Sequence, residues 1–308
     1  SIFFKHNYYI VNSEEHFKQI PSHRFGFWLK DSSLKVFSNK KVANFSIPRE
    51  GMTTAGNDIF LRLWHEVEYN GIGFNYTREE ALASKLKWFP YAKGGSYRLW
   101  YGNTEYVVDW FNDGERIQNN YDSETGRLRS HNYNLEYIFK ECISWSRMNN
   151  SFRLYPKGFL CDSTGTPLYT SQNKYKLLAF LVTKVAKYIL DIYNPSIVIQ
   201  PGDVASLPYD DFKEIDNQTI IDSISISKSD WDAHETSWDF TSNELLSIDL
   251  DSYESIMHDY ADYHQISIDL EPAELNKLSW RVDIYKKKWG TMFLRLHQNE
   301  ETLNEKFI

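Results

Sequence analysis

The sequence has no run of apolar residues approaching the roughly 18 needed to cross a bilayer as a helix, so no membrane-spanning segment is expected. Its first residues carry Lys5 and His6 inside an aromatic stretch, without the layout of a secretory signal peptide. An initiator methionine is missing at Ser1, so the chain is read as a processed or excised part of a longer product. Cysteine is scarce. Cys142 and Cys161 are the whole supply, and with no histidine pair at ligand spacing they cannot complete a zinc site. A chain of 308 residues can bury a core without a disulfide. A bridge between the two is open but unneeded, and a reducing, cytoplasmic setting is expected. Internal repeats and low-complexity tracts are also missing.

The usual signatures of catalysis are absent as well. There is no Gly-x-Ser-x-Gly elbow and no phosphate-binding P-loop. A methyltransferase acting on the adenine amino group needs an Asn/Asp/Ser-Pro-Pro-aromatic tetrad. Asn194-Pro195-Ser196-Ile197 lacks the second proline and the ring, and reads as a helix stop. Tyr69-Asn70-Gly71-Ile72-Gly73 imitates a cofactor-binding glycine turn but follows a helical pattern where a strand is required. His258 and His264 flank Asp259 and Asp262 on a stretch that reads as a polar, solvated helix. Carboxylate pairs such as Asp210-Asp211 and Asp249–Asp251 are ordinary in an acidic segment. No catalytic or metal-ligating residue is assigned.

What is present is a balance of 42% hydrophobic and 25% charged residues, that of a globular protein, and an aromatic share of 16%. The net charge of −8 is unevenly spread: residues 1–200 hold 25 Lys and Arg against 19 Asp and Glu, and residues 201–308 hold 9 against 23. An acidic total therefore does not exclude a polyanionic partner for the first part. Residues 3–11, 25–30 and 34–38 read as short strands. Residues 54–68 read as a helix, with Asn57 as N-cap and Phe60, Leu63, Trp64 and Val67 on its core stripe. Residues 86–165 are strand-rich and broken by Gly, Asn and Asp turns. The clearest helix is 174–192, striped by Leu178, Leu181, Val182, Val185 and Ile189. Residues 197–209 suggest a strand, a turn and an extended exit. After Tyr209 the composition shifts to Asp, Ser and Ile, and 243–265 and 271–306 read as helices. The fold class expected is α+β: a strand-rich unit over 1–210 with packed helices, then an acidic, mostly helical region over 211–308.

Across residues 85–160, Lys85, Lys87, Lys93, Arg98, Arg147, Arg153 and Lys157 alternate with Trp88, Tyr91, Trp100, Trp145 and Tyr155. Cations interleaved with rings suit phosphate contact and base stacking. The same pattern arises when rings point into a core and the cations are solvated, and residue types alone do not separate the two. A carbohydrate- or protein-binding platform is the other functional alternative.

Several ordered motifs narrow the choice. Gly51-Met-Thr-Thr-Ala-Gly-Asn-Asp-Ile-Phe60-Leu-Arg-Leu-Trp64-His-Glu-Val67 resembles the block that opens the target-recognition domain of PglX proteins, the adenine-specific DNA methyltransferases of BREX phage-defence systems. Related blocks occur in single-chain restriction–modification enzymes of the TaqI-like class. Lys87-Trp-Phe-Pro-Tyr-Ala-Lys93-Gly-Gly is similar to that family's Lys-Trp-Tyr-Pro-Tyr-x-Lys-Gly-Gly. Arg98-Leu-Trp100-Tyr-Gly-Asn103, Val108-Asp-Trp110-Phe-Asn112-Asp-Gly114, Phe139-Lys-Glu141-Cys-Ile-Ser-Trp145-Ser and Tyr155-Pro-Lys-Gly158-Phe follow in order. Ser227-Lys-Ser-Asp230-Trp-Asp232, Glu235-Thr-Ser-Trp238-Asp-Phe240 and Asn299-Glu-Glu-Thr-Leu-Asn304-Glu-Lys-Phe-Ile308 complete the set. Ala55 departs from the pattern, standing where the family has glycine, and leaves the turn there open. The resemblance implies a target-recognition fragment without the catalytic domain and without a cofactor of its own. S-adenosylmethionine would belong to the parent enzyme, double-stranded DNA would be the partner, and other BREX proteins are further candidates. Arg and Lys can read guanine and Asn can read adenine, so the DNA-binding candidates are Lys87, Lys93, Arg98, Asn103, Arg147 and Lys157.

Overall fold

Short segments bounded by turn residues make strands, and among the described residues eight of them form. They are β1 (Ser46–Pro48), β2 (Leu61–Leu63), β3 (Trp88–Ala92), β4 (Tyr106–Asp109), β5 (Cys142–Ser146), β6 (Ser151–Tyr155), β7 (Leu160–Cys161) and β8 (Gly165–Thr170). The computed structural model describes residues 35–194, 196–210 and 215–307. The helices are α1 (Asn57–Phe60), α2 (Arg78–Ser84), α3 (Phe111–Gln118), α4 (Lys174–Leu181), α5 (Lys184–Tyr193), α6 (Pro201–Ser206), α7 (Asn217–Asp232), α8 (Glu244–Ser247), α9 (Leu250–His264) and α10 (Leu278–Phe307). The α+β class is as expected.

The strands pair into two four-stranded sheets, ordered β1-β8-β5-β6 and β2-β4-β3-β7. The first is antiparallel throughout, and in the second β3 and β7 run parallel. Side chains alternate across each strand. On the first sheet Ile143, Trp145, Phe152 and Leu168 share a core with Leu177, Leu178, Leu181 and Leu190 of α4 and α5. Cys142 and Tyr155 occupy the opposite face and pack with Ala92, Phe159 and Cys161 between the sheets. The outer face of the second sheet, Phe89, Tyr91, Val108 and Leu160, packs on Phe60, Ala81, Ile117 and Phe139.

The two sheets approach to backbone contact where glycine stands at 165. A Cβ added at Gly165 would lie 2.3 Å from the Ala92 carbonyl oxygen. Ser144, Ser146 and Arg153 are buried there as well. Arg153 forms no ion pair among the described residues; its Nη2 donates to Ser146 Oγ, and desolvation holds its pKa below the usual guanidinium value. The thiols of Cys142 and Cys161, one from each sheet, are free and 3.7 Å apart. Their mutual hydrogen bond and burial raise the Cys142 pKa, so it stays a neutral thiol.

The last third is built onto this body. Ile220 of α7 and Leu303 and Phe307 of α10 enter the core that α4 and α5 share with the first sheet. Asn304 Oδ1 accepts the Lys184 N–H at 2.8 Å, and Trp100 Nε1 donates to Glu300 Oε1 at 2.9 Å. The other end of α10 packs in a separate cluster, where Ile284 meets Ile248 and Tyr253. At 1.5 Å per residue, the 30 residues of α10 span about 45 Å. Among the described residues, no helix is long and apolar enough to cross a membrane.

Five local expectations are corrected. The helix over 54–68 is only the single turn α1, with Gly56 rather than Asn57 as N-cap. Leu61 to Leu63 then pair with β4, because burying Leu61 opposite Val108 outweighs helical spacing. Trp64 is half-buried instead of core, and its Nε1 donates to the Thr236 carbonyl at 3.0 Å. The helix over 174–192 is two, because Thr183 caps α5 by accepting the Ala186 N–H. Residues 201–206 form α6, with Pro201 in the first turn where its missing N–H has no penalty. Lys35–Ser38 is a 3₁₀ turn, not a strand; the strands expected at 3–11 and 25–30 lie outside the described residues.

Ala55 keeps a left-handed φ of +55°. The glycine-type turn therefore persists with an alanine in it, at a strain of roughly 1–2 kcal/mol. Ala55→Gly is expected to stabilise by about 0.5–1 kcal/mol after the added chain entropy is discounted. Gly165→Ala is expected to destabilise by about 2 kcal/mol or more. Urea unfolding measures both.

Burial raises the pKa of Glu300, and the Trp100 hydrogen bond lowers it by less. The folded state therefore loses stability as pH rises from the ordinary carboxyl range through the raised value. Glu300→Gln keeps an acceptor for Trp100 and removes that loss. Its melting temperature should exceed that of the parent at pH 7 and match it near pH 4.

Candidate nucleic-acid interface

At the start of β3, two cations gather on one buried carboxylate. Asp109 accepts from Arg116 Nη1 at 2.6 Å and lies 3.6 Å from Lys87 Nζ. The Trp88 ring carries Lys87 at 4.8 Å and Arg62 at 5.9 Å. Beyond β4 the backbone of Asn112, Asp113 and Gly114 is left-handed, at φ 49°, 59° and 70°. Asp113 fixes this turn by accepting from Trp110 Nε1 and, in two-pronged fashion, from Arg78. The turn leaves Phe111 44% exposed. Lys87 and Arg116 keep exposed side chains over the buried Asp109, and Asp113 and Glu115 lie on the same turn.

The six candidates from the sequence do not share one contact set. Lys93 places its ammonium 5.0 Å from the Tyr106 ring centroid, and its carbonyl accepts from Thr164 Oγ1. Arg98 pairs with Asp230 at 2.5 Å and stacks on the Trp231 ring, tying the 98–103 turn to α7. Asn103 is buried, with a φ of +56°, and its Nδ2 donates to the Ser96 carbonyl. Arg147 bonds to Glu50, the Ser163 carbonyl and Gln200. Lys157 is exposed on the turn before Gly158, beside Arg78 and Lys140 and three glutamates in a recess of about 550 Å³. Lys87, Lys93 and Lys157 thus present ammonium groups near the surface, whereas Arg98, Asn103 and Arg147 hold turns together.

Four of the five interleaved rings point inward. Tyr91, Trp100, Trp145 and Tyr155 are completely buried, and Trp88 is half-exposed. Asn194 is spent on local structure: its Nδ2 donates to the Val198 carbonyl and to Asp203. Gly73 serves packing, since a Cβ there would lie 2.3 Å from the Phe89 ring. His264 packs against Tyr260 and Tyr263 on α9.

A hairpin at 119–133, missed from the sequence, exposes both cations and rings. Asp122 Oδ1 accepts the N–H groups of Glu124 and Thr125, which holds its carboxyl below the usual range. Tyr121 bridges to Leu128 across this turn. The base is anchored by the paired Thr53 and His131 backbone bonds and by Asn120 Nδ2 on the Thr54 carbonyl. Tyr121, Leu128 and Tyr133 stand 56%, 40% and 77% exposed, and Arg127 and Arg129 are exposed between them. Neither arginine makes an ion pair among the described residues. The available signal was Arg-Leu-Arg directly after a glycine turn.

No family model matches the chain. Adenine-specific methyltransferase PglX of Lacticaseibacillus casei (strain Zhang) is 35% identical over 314 aligned residues, covering 98% of this chain and 24% of that protein. Adenine-specific methyltransferase BrxX of Escherichia coli O9:H4 (strain HS) is 32% identical over 260, covering 80% of this chain and 20% of its own length. The chain spans about a quarter or less of the curated relatives it matches, and it is a relative of these methyltransferases.

Arg98 and Lys157 should separate cleanly. Arg98→Ala leaves Asp230 without its guanidinium partner and should lower the unfolding free energy by about 1.5–3 kcal/mol. Lys157→Ala should change it by less than about 0.5 kcal/mol. Chemical denaturation of the two variants makes the comparison.

Proposed function

We propose that this relative of the PglX and BrxX adenine-specific methyltransferases is the target-recognition part of an N6-adenine DNA methyltransferase acting in BREX phage defence. The observation that carries this reading is the anchored hairpin, with Arg127 and Arg129 among exposed rings and in no ion pair among the described residues. Such a surface suits a duplex: guanidinium groups meet phosphates or guanine edges, and rings lie against sugars and bases. Lys87 and Arg116 supply further exposed cations. Residues 1–210 would read the site, and the acidic 211–308 region would brace it through α7 and α10.

In the parent enzyme S-adenosylmethionine would supply the methyl group, held outside this chain. The target adenine must leave the duplex, at an unstacking cost of a few kcal/mol. Phosphate contacts from this part would offset that cost at every site, and a few groove contacts would choose among sites. A carbohydrate platform is the weaker reading, because the buried Trp100, Trp145 and Tyr155 offer it no face.

Changing Arg127 and Arg129 together to alanine should weaken duplex binding and reduce the slope of log affinity against log salt by about 2. In a full-length enzyme, exchanging residues 51–210 for those of a relative should move N6-methyladenine to the relative's motif, mapped by long-read sequencing. An active exchange enzyme that keeps its old motif would place specificity elsewhere.

A further inference from the structure

A cavity of about 450 Å³ opens between the second sheet, the 154–159 turn and α7. Four rings wall it in succession. Tyr69 and Phe74 lie 5.4 Å apart, Phe74 and Trp238 5.2 Å, and Trp238 and Phe159 5.8 Å. Trp238 is carried there by a deliberate turn after α7. Ser237 Oγ donates to Asp232 and accepts the Asp239 N–H, and Lys228 bridges Asp232 and Asp239. The acidic region therefore supplies one wall and the strand-rich region the other. The lining is mainly apolar, with polar groups at Asn75, Glu141 and the Lys228–Asp239 pair.

We propose that this cavity binds a single unpaired nucleobase. Its volume lies within the roughly 300–1,000 Å³ of small-molecule sites. A flat, weakly hydrated ring gains most from stacking on other rings, and each base gains a severalfold or greater affinity that way. Asn75 is exposed and makes no hydrogen bond among the described residues. Its amide offers a donor and an acceptor side by side, the pairing that the edge of a base requires. A pyranose suits the site less, because it needs several hydrogen-bonding partners around its rim. The base has two sources, a nucleotide displaced from bound DNA or a free nucleoside. The first source rests on the DNA-recognition reading; the second does not.

The test uses the 308-residue chain and three probes. Fluorescence anisotropy compares a fully paired duplex with one carrying an adenine opposite an abasic site, which is easily unstacked. Saturation-transfer NMR examines adenosine, and maltohexaose serves as the sugar. The unpaired adenine should raise affinity about tenfold. Ile224→Trp, which fills the cavity, and Tyr69→Ala at its exposed rim should each abolish the gain while leaving paired-duplex affinity unchanged. Adenosine binding without a gain on DNA supports the free-nucleoside source. Adenosine binding with no duplex affinity at all defeats the DNA-recognition reading and leaves the cavity assignment standing. A bound duplex with neither a gain nor adenosine binding overturns the assignment, as does binding of maltohexaose alone. If Ile224→Trp fails to fold by circular dichroism, Tyr69→Ala decides.

Discussion

Two sheets lie back to back so closely that one backbone nearly touches the other. At Gly165 and Ala92 there is no room for a single additional carbon. That approach requires glycine at 165, and the same layer buries Cys142, Cys161, Ser144 and Ser146 together with the larger Tyr155, Phe159 and Arg153. It also fixes where strands end, and hence where the loops that carry cations leave the body. The 93–96 turn, the 147–150 turn and the 162–165 turn all converge on this seam, tied by Thr164 to Lys93 and by Asn149 to Gly95. A loosened seam would move every one of them together.

Burial on both sides of both sheets explains much of what a linear reading could and could not find. The α+β class was legible, as were the helices near 250–264 and 278–307, because polar periodicity survives where one side of a helix meets solvent. β5 is buried along its whole length. Such a strand shows no alternation of polar and apolar residues, so nothing in its sequence tells which rings face out. Tyr91, Trp100, Trp145 and Tyr155 were therefore visible as rings but not as core. Leu61 was misread for a related reason: its strand is three residues long and owes its existence to β4, a partner more than 40 positions away.

The candidate surface was legible in part. Lys87 stands out in its motif and reaches the surface, and the same is true of Lys157. Arg98 stands out equally, yet its partner Asp230 lies in another motif 132 positions on. Proximity of that kind is invisible along the chain. The two motifs prove to be halves of one contact, and a third, around Trp238, closes the aromatic cavity. The 119–133 hairpin was not singled out within the strand-rich 86–165 stretch, because its anchors, Thr53 and His131, are far apart in sequence.

The long α10 helix ends in two different neighbourhoods. Its C-terminal end is clamped by Leu303, Phe307 and the Asn304 bond to Lys184, and its N-terminal end carries the small cluster around Ile248 and Tyr253. A rod clamped at one end acts as a lever. Any force on the distal cluster arrives at the clamp as torque, and Glu300 on Trp100 stands within that clamp. Trp100 in turn shares backbone hydrogen bonds with Phe152 and Leu154 of the first sheet. The acidic third is thus geared to the strands whose turns carry the exposed cations, and a load on one is felt by the other.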